Sequence, residues 1–280
     1  MEIIEKEGYF YLKHSYRAGK KVVTKESYLG KEIPADIERR KSELLHKCKK
    51  ELYEKLGRIK NNFAKTWKKY PDSVKRALLI DFSIRFTYNT NAIEGSTITE
   101  EETEELLRRK ISPNRPIGDV QESIRHAETF LSAINENKEL SVPLVKAWHK
   151  KIFSESKPDI AGEIRDYNVR VGDYRCPDWQ DVEPMMGEFI RWYAGANETV
   201  HPVELAAKAH YRFEKIHPFG DGNGRIGRLI INFILHKKKY PLIVVEYKKR
   251  ESYYTALRRE EAGFVNYFVR RYLKVHAEHL

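Results

Sequence analysis

Apolar residues recur along this chain in two rhythms. Residues 9–15 (YFYLKHS) and 21–29 (KVVTKESYL) are rich in aromatic and β-branched side chains and flank the turn-like RAGK, which predicts an N-terminal β-hairpin. After Pro34 the period lengthens. Leu45, Cys48, Leu52, Leu56, Ile59 and Phe63 step by three and four, the spacing of one long amphipathic helix. From residue 74 onward helical periodicity dominates: VKRALLIDFSIRFTYNTNAIEG, then TEEETEELLRR opened by the capping box Thr99 to Glu102, then VQESIRHAETFLSAI, LVKAWHKKIF and EPMMGEFIRWYAG. One stretch breaks the pattern. In GEIRDYNVRVGDYRCPDW, Val169 and Val171 alternate with polar neighbours before Gly172 and Pro177, which predicts a short hairpin or flap. The expected organisation is a β-hairpin appendage at 1–35, a helical extension at 36–76 and a mainly α body at 77–280.

Composition narrows the class. A chain of 280 residues can bury a sizeable core without covalent staples. Cys48 and Cys176 are the two cysteines and form no CxxC, so neither a disulfide framework nor a thiolate metal site is expected. The most apolar run, LIINFIL, is cut by His236-Lys237-Lys238-Lys239, short of the roughly 20 residues of a membrane span. The first residues, MEIIEKEG, lack a signal-peptide core. A cytoplasmic protein without membrane association is the expectation. The net charge of +11 is concentrated at one end: residues 1–76 hold 21 Lys/Arg against 11 Asp/Glu, and the remainder 31 against 30. Such an excess suits either a solvated surface, the favoured reading, or phosphate contacts to nucleic acid.

The chemistry concentrates in HPFGDGNGRIGR, residues 217–228. VELAAKAHYRFEKI has helical spacing up to His217, where Pro218 disfavours helical backbone, and RIGRLIINFILHK resumes it, so the motif is a helix, a glycine loop and a second helix. A helix N-terminus attracts anions and disfavours cations. Two arginines stand there nonetheless, Arg225 and Arg228, three apart on one face. A polyphosphate resolves the conflict by accepting the loop N–H groups and both guanidinium forks. The spacing fits neither a Walker A loop nor a Rossmann turn. Asp221 can join phosphate oxygens in holding Mg²⁺, and His217 can take a proton from a hydroxyl at neutral pH. His201, His210 and His236 lack metal-ligand spacing and read as structural or exposed.

This stretch resembles the signature of the Fic family, HPFx[DN]GNGRxxR, at every specified position, and the resemblance extends over about residues 80–262. It implies a mainly α, Fic-type helical bundle and transfer of a nucleotide monophosphate, usually AMP from ATP, to a protein hydroxyl, with Mg²⁺. Carried over by position, His217 is the base and Asp221 the metal ligand. Asn223 and the backbone at Gly222 and Gly224 hold the α-phosphate, and Arg225 and Arg228 hold the β- and γ-phosphates. The flap resembles the family's β-hairpin, closing over the nucleotide near Val169 and aligning the main chain of a protein target. TNAIEG, residues 90–95, resembles the inhibitory motif [ST]xxxE[GN], which implies that Glu94 pairs with Arg228 and removes the γ-phosphate clamp, and in relatives of this class the same glutamate assists removal of AMP. RESYYTALRREEAG resembles the adenine-side helix, with Tyr253, Tyr254 and Leu257 in place, but Glu261 stands where relatives often have Asn. Donors other than ATP, such as UMP, phosphate or phosphocholine, stay open, as do a nucleic-acid-binding regulator, a decayed nucleotide-binding partner protein and a homodimer built on the long helix and hairpin.

Overall fold

Three antiparallel strands open the chain, β1 (Glu2–Lys6), β2 (Tyr9–Ala18) and β3 (Lys21–Gly30), ordered β1-β2-β3 in a computed structural model that describes residues 1–18 and 21–280. The expected hairpin corresponds to β2 and β3, and its turn at 19–20 lies outside the described residues. β1 corrects the sequence reading. It is an exposed edge strand whose EIIEK carries little apolar alternation, and it turns into β2 through Glu7 and Gly8, both at positive φ (53° and 77°), the backbone of a tight two-residue hairpin. On the inner face Leu12 and Leu29 pack with Leu44 and Cys48 of the long helix α1 (Ile37–Lys69), with Phe10 and Ile37 at the margin. Leu44, not Leu45, starts the buried stripe of α1. The chain divides into two compact units, Met1–Arg58 and Ile59–Leu280, and the division falls within α1.

The second unit is helical, as the spacing predicts. It contains α2 (Asp72–Ile93), α3 (Glu100–Glu104) running into a π-helical turn (Glu105–Arg109), α4 (Ile117–Ile134), α5 (Val142–Phe153), α6 (Trp179–Ala196), α7 (Pro202–Ile216), α8 (Asn223–Lys237), α9 (Arg250–Leu257) and α10 (Glu261–Val275). The capping box at α3 forms in both directions: Glu102 N–H donates to Thr99 Oγ1 at 3.1 Å and Thr99 N–H to Glu102 Oε2 at 2.8 Å. The flap is the short hairpin β4 (Arg170–Val171) and β5 (Tyr174–Arg175). Helix α8 is the centre of this unit. It is buried from Arg225 through Leu235, and its apolar residues on every face require that it be surrounded, while Arg225, Arg228 and Asn232 are the buried polar exceptions. Ala206, Ala207 and Ala209 of α7 are fully buried, and their small side chains let the helix pack closely. Among the described residues no helix is long and apolar enough to cross a membrane.

Candidate active site

The loop between α7 and α8 is built before any ligand arrives. His217 caps α7 in the left-handed region, φ 52° and ψ 61°, a conformation that costs a non-glycine residue on the order of 1 kcal/mol and ends the helix just before Pro218, which cannot continue it. Its amide donates to Phe213 O at 2.9 Å. Asn223 then closes the turn: Phe219 N–H donates to its Oδ1 at 2.9 Å and its Nδ2 donates to Phe219 O at 2.8 Å. The buried Asn223 side chain is thereby committed to the loop itself. Gly222 takes φ 76°, and a side chain there would strike the Phe153 ring. His149 of α5 braces the loop from beneath, stacked on Phe219 with ring centres 3.8 Å apart. Gly162 N–H donates to His149 Nδ1 at 2.8 Å, so the proton is on Nε2, which donates to Asp221 O at 3.0 Å. Burial lowers this imidazole to about 4.

At the start of α8 the chain supplies no side-chain cap and no acidic residue in the first turn. A carboxylate from elsewhere stands there. Glu94, at the C-terminus of α2, places Oε1 where a Cβ on Gly224 would lie, and Arg228 Nη2 donates to the same oxygen at 2.6 Å. Arg228 is 1% exposed and also donates to Thr90, through Nε to the hydroxyl and through Nη2 to the carbonyl at 3.1 Å. Burial opposes its charge, but Glu94 outweighs it and holds the guanidinium protonated. Glu94 keeps 27% side-chain exposure, so the pair lies at the mouth of the loop and not in the closed core.

The Fic/DOC family profile matches residues 139–235. The protein adenylyltransferase Fic of Nematostella vectensis is 31% identical over 191 residues, covering 65% of this chain and 44% of that one. The chain therefore spans less than half the length of the curated relatives it matches. Solved structures share the fold: a Fic-domain signaling protein from Bacteroides thetaiotaomicron superposes with TM-score 0.71 at 25% identity, covering 80% of this chain and 96% of that one. Fic-1 from C. elegans superposes with TM-score 0.73 at 23% identity, over 87% and 75%. Residues 139–235 are a Fic domain.

Around the Fic loop the structure assembles residues that motif spacing alone did not single out. Arg225 is buried, lies over the Phe153 ring at 4.4 Å, and pairs with Glu122 of α4, itself 6% exposed. Lys157 bridges Glu122 at 2.7 Å and Asp221 at 3.0 Å. Burial raises the Asp221 carboxyl, yet Arg225 and Lys157 hold it below the usual carboxylate range. Glu122 stands in no motif; the packing of α4 on α8 makes it Arg225's partner. Arg165, 4% exposed, is the second such residue. Its Nε donates to His217 O at 2.9 Å, Nη1 to Tyr167 O at 2.8 Å and Nη2 to Pro177 O at 2.7 Å, so one guanidinium fixes the Fic loop to both sides of the flap.

The His217 ring is lowered, chiefly by burial and with help from Arg165, against the opposing pull of the Glu214 main chain. A neutral imidazole carries one N–H and leaves the other nitrogen as an acceptor. Of the adenine-side residues, Tyr253 is core, 1% exposed, its hydroxyl bonded to His210 Nε2 at 2.8 Å, while Tyr254 donates to Ile93 O at 3.1 Å, next to Glu94. Glu261 is taken up by Arg212, Nε at 2.6 Å and Nη2 at 3.4 Å. Val169 is half-buried, its carbonyl accepting from Cys176 N–H at 3.3 Å across the flap.

Proposed function

We propose that this chain is a protein adenylyltransferase that transfers AMP from ATP to a protein hydroxyl and is held inactive by its own Glu94. The observation that carries this reading is the Glu94 carboxylate at the uncapped N-terminus of α8, paired with Arg228 and packed on Gly224. Helix N–H groups and a buried guanidinium are a combination made for phosphate oxygens, and an internal carboxylate now fills it. A triphosphate entering against that carboxylate meets a negative charge and finds its strongest clamp occupied. The relatives named adenylyltransferases supply the donor class.

With Glu94 withdrawn, Arg228 holds the terminal phosphate, and the Gly222 and Gly224 backbone receives the α-phosphate. The free His217 nitrogen takes the proton of the acceptor hydroxyl as its oxygen attacks phosphorus and pyrophosphate leaves. Arg225, already neutralised by Glu122, acts chiefly to position the loop. Asp221 fits a Mg²⁺ that arrives with the nucleotide: its side chain is 45% exposed, and Lys157 already places a cation beside it. Mg²⁺ there supplies charge neutralisation on the phosphates. The same glutamate, freed from Arg228, is the group best placed to direct water at an AMP-modified target in the reverse reaction.

Mass spectrometry of self-modification with ATP and Mg²⁺ tests the proposal. Glu94→Gly is expected to gain one AMP per chain, whereas the wild type and Glu94→Gly with His217→Ala gain none. Absence of both adduct and ATP binding in Glu94→Gly overturns it.

A further inference from the structure

The flap brings a second hydroxyl to the loop. Tyr167, three residues before β4, is 44% exposed, and its phenol oxygen occupies the space a side chain on Gly220 would fill. Gly220 is the variable position of the HPFGDGNG loop, between the base His217 and the carboxylate of Asp221. A larger residue at 220 would expel the ring. Main-chain placement is equally fixed, because Arg165 holds the carbonyls of Tyr167 and His217 with a single planar group, at 2.8 and 2.9 Å, while Arg165 N–H donates to Pro218 O at 2.9 Å. Arg165 is itself buried, so this clamp is rigid. The phenol hydroxyl has no hydrogen-bond partner among the described residues, although the neighbouring tyrosines Tyr174, Tyr253 and Tyr254 all have one. A solvent-accessible hydroxyl, unpartnered and held against Gly220 in the loop that carries His217, has the attributes of an acceptor.

We propose that Tyr167 is a self-modification site of this enzyme, accepting AMP in cis from ATP bound in the loop of the same chain. This rests on the adenylyltransferase reading above. The Tyr167 oxygen forms the new bond to the α-phosphorus, the bond from that phosphorus to the bridging oxygen of pyrophosphate breaks, and the phenol proton passes to the free nitrogen of His217. Pyrophosphate is the leaving group. The product is an aryl phosphodiester carrying AMP across the mouth of the loop, where it obstructs the entry of an external acceptor. Tyr167 modification therefore acts as a second brake, one that forms only after the first has been released.

The test uses the full chain as Glu94→Gly with ATP and Mg²⁺, mapping the adduct by peptide mass spectrometry and following its rate at several protein concentrations. AMP on Tyr167, with a first-order rate unchanged across an approximately ten-fold range of enzyme, is the expected result, because a tethered acceptor needs no second molecule. Tyr167→Phe in the same background is expected to lose at least about nine-tenths of the adduct while retaining ATP binding by calorimetry. An adduct on a different residue, or a rate that scales with enzyme concentration, overturns the assignment and leaves the adenylyltransferase reading intact. No adduct together with normal ATP binding also overturns it. No adduct and no ATP binding removes the function on which both depend.

Discussion

Asn223 shows how a motif residue holds the backbone of its own loop. The resemblance assigns it to the α-phosphate, and in the structure its amide joins both main-chain groups of Phe219, with one Nδ2–H left over. Replacement by Asp keeps the acceptor and removes the donor, leaving Phe219 O unpaired in a buried site and adding a charge. Asn223→Asp is expected to lower unfolding stability by about 1–3 kcal/mol and to weaken ATP binding in the Glu94→Gly background. Denaturant midpoints and calorimetry check the two parts separately. The twelve residues from His217 to Arg228 were legible because Pro, Gly and Arg in a fixed order leave few backbone paths. What stayed hidden at this scale were partners contributed by distant segments. Glu122 meets Arg225 across 103 positions of sequence, and Arg165 meets the His217 carbonyl across 52. Neither sits in a local pattern that marks it.

Among the elements, helix packing stores titratable groups away from water: His126 on α4, His149 on α5, His210 and Glu214 on α7, and His276 at the end of α10. Burial depresses His126 and His210 to about 3, and His149 and His276 to about 4. An unfolded imidazole near 6.5 takes up a proton that the folded one refuses. The stability these residues contribute is therefore complete above about pH 6.5 and is lost as pH falls through the folded values. Glu214 has the opposite sign. It lies between the helices, its Oε1 2.6 Å from where a Gly227 side chain would begin, and burial raises it to about 8. Folded, it retains a proton that the unfolded glutamate releases near 4.5, so its contribution is present at low pH and is lost as pH rises through about 8. Four imidazoles outweigh one carboxyl below about pH 6.5, and of this set Glu214 alone acts above it. Unfolding free energy is expected to rise with pH up to that point and then decline, at up to ~1.4 kcal/mol per pH unit. Urea titrations at about pH 5, 6.5 and 8 measure the curve, and Glu214→Gln is expected to flatten its upper limb. The helices themselves were readable from apolar spacing and caps. β1 was not, because an edge strand exposed on both faces writes no alternation into the sequence. The break between α9 and α10 was hidden for a related reason: RREEA has the composition of a helix, and only the tertiary turn interrupts it.

For the whole molecule, the proposed role of Glu94 couples stability to ligand. Removing one partner of a mostly buried pair leaves Arg228 with Thr90 alone, at a cost of up to ~3 kcal/mol. Glu94→Gly is expected to melt below the wild type without nucleotide and to recover on adding Mg²⁺ and ATP, while the wild type shifts little, since only a binding-competent site converts ligand concentration into stability. Thermal melts with and without nucleotide read this directly. A larger shift in the wild type than in Glu94→Gly contradicts the assignment of Glu94 as the brake. The charge asymmetry was equally visible in the sequence: residues 77–280 hold 31 Lys/Arg against 30 Asp/Glu. On the proposed reading, a stretch of nearly balanced charge binds its triphosphate through a few placed cations and not through a diffuse field.

The hydroxyl of Tyr254 on the Ile93 carbonyl is a small bond with a long reach. It joins α9 to the last turn of α2, one residue before the carboxylate that seats itself in the loop. On the proposed reading, withdrawal of Glu94 strains this bond and an occupant that shifts α9 is felt at the turn, and by linkage the two effects are reciprocal. Tyr254→Phe removes the bond and leaves the Arg228–Glu94 pair in place. In that variant the melting shift produced by Mg²⁺ and ATP is expected to depart from that of the wild type.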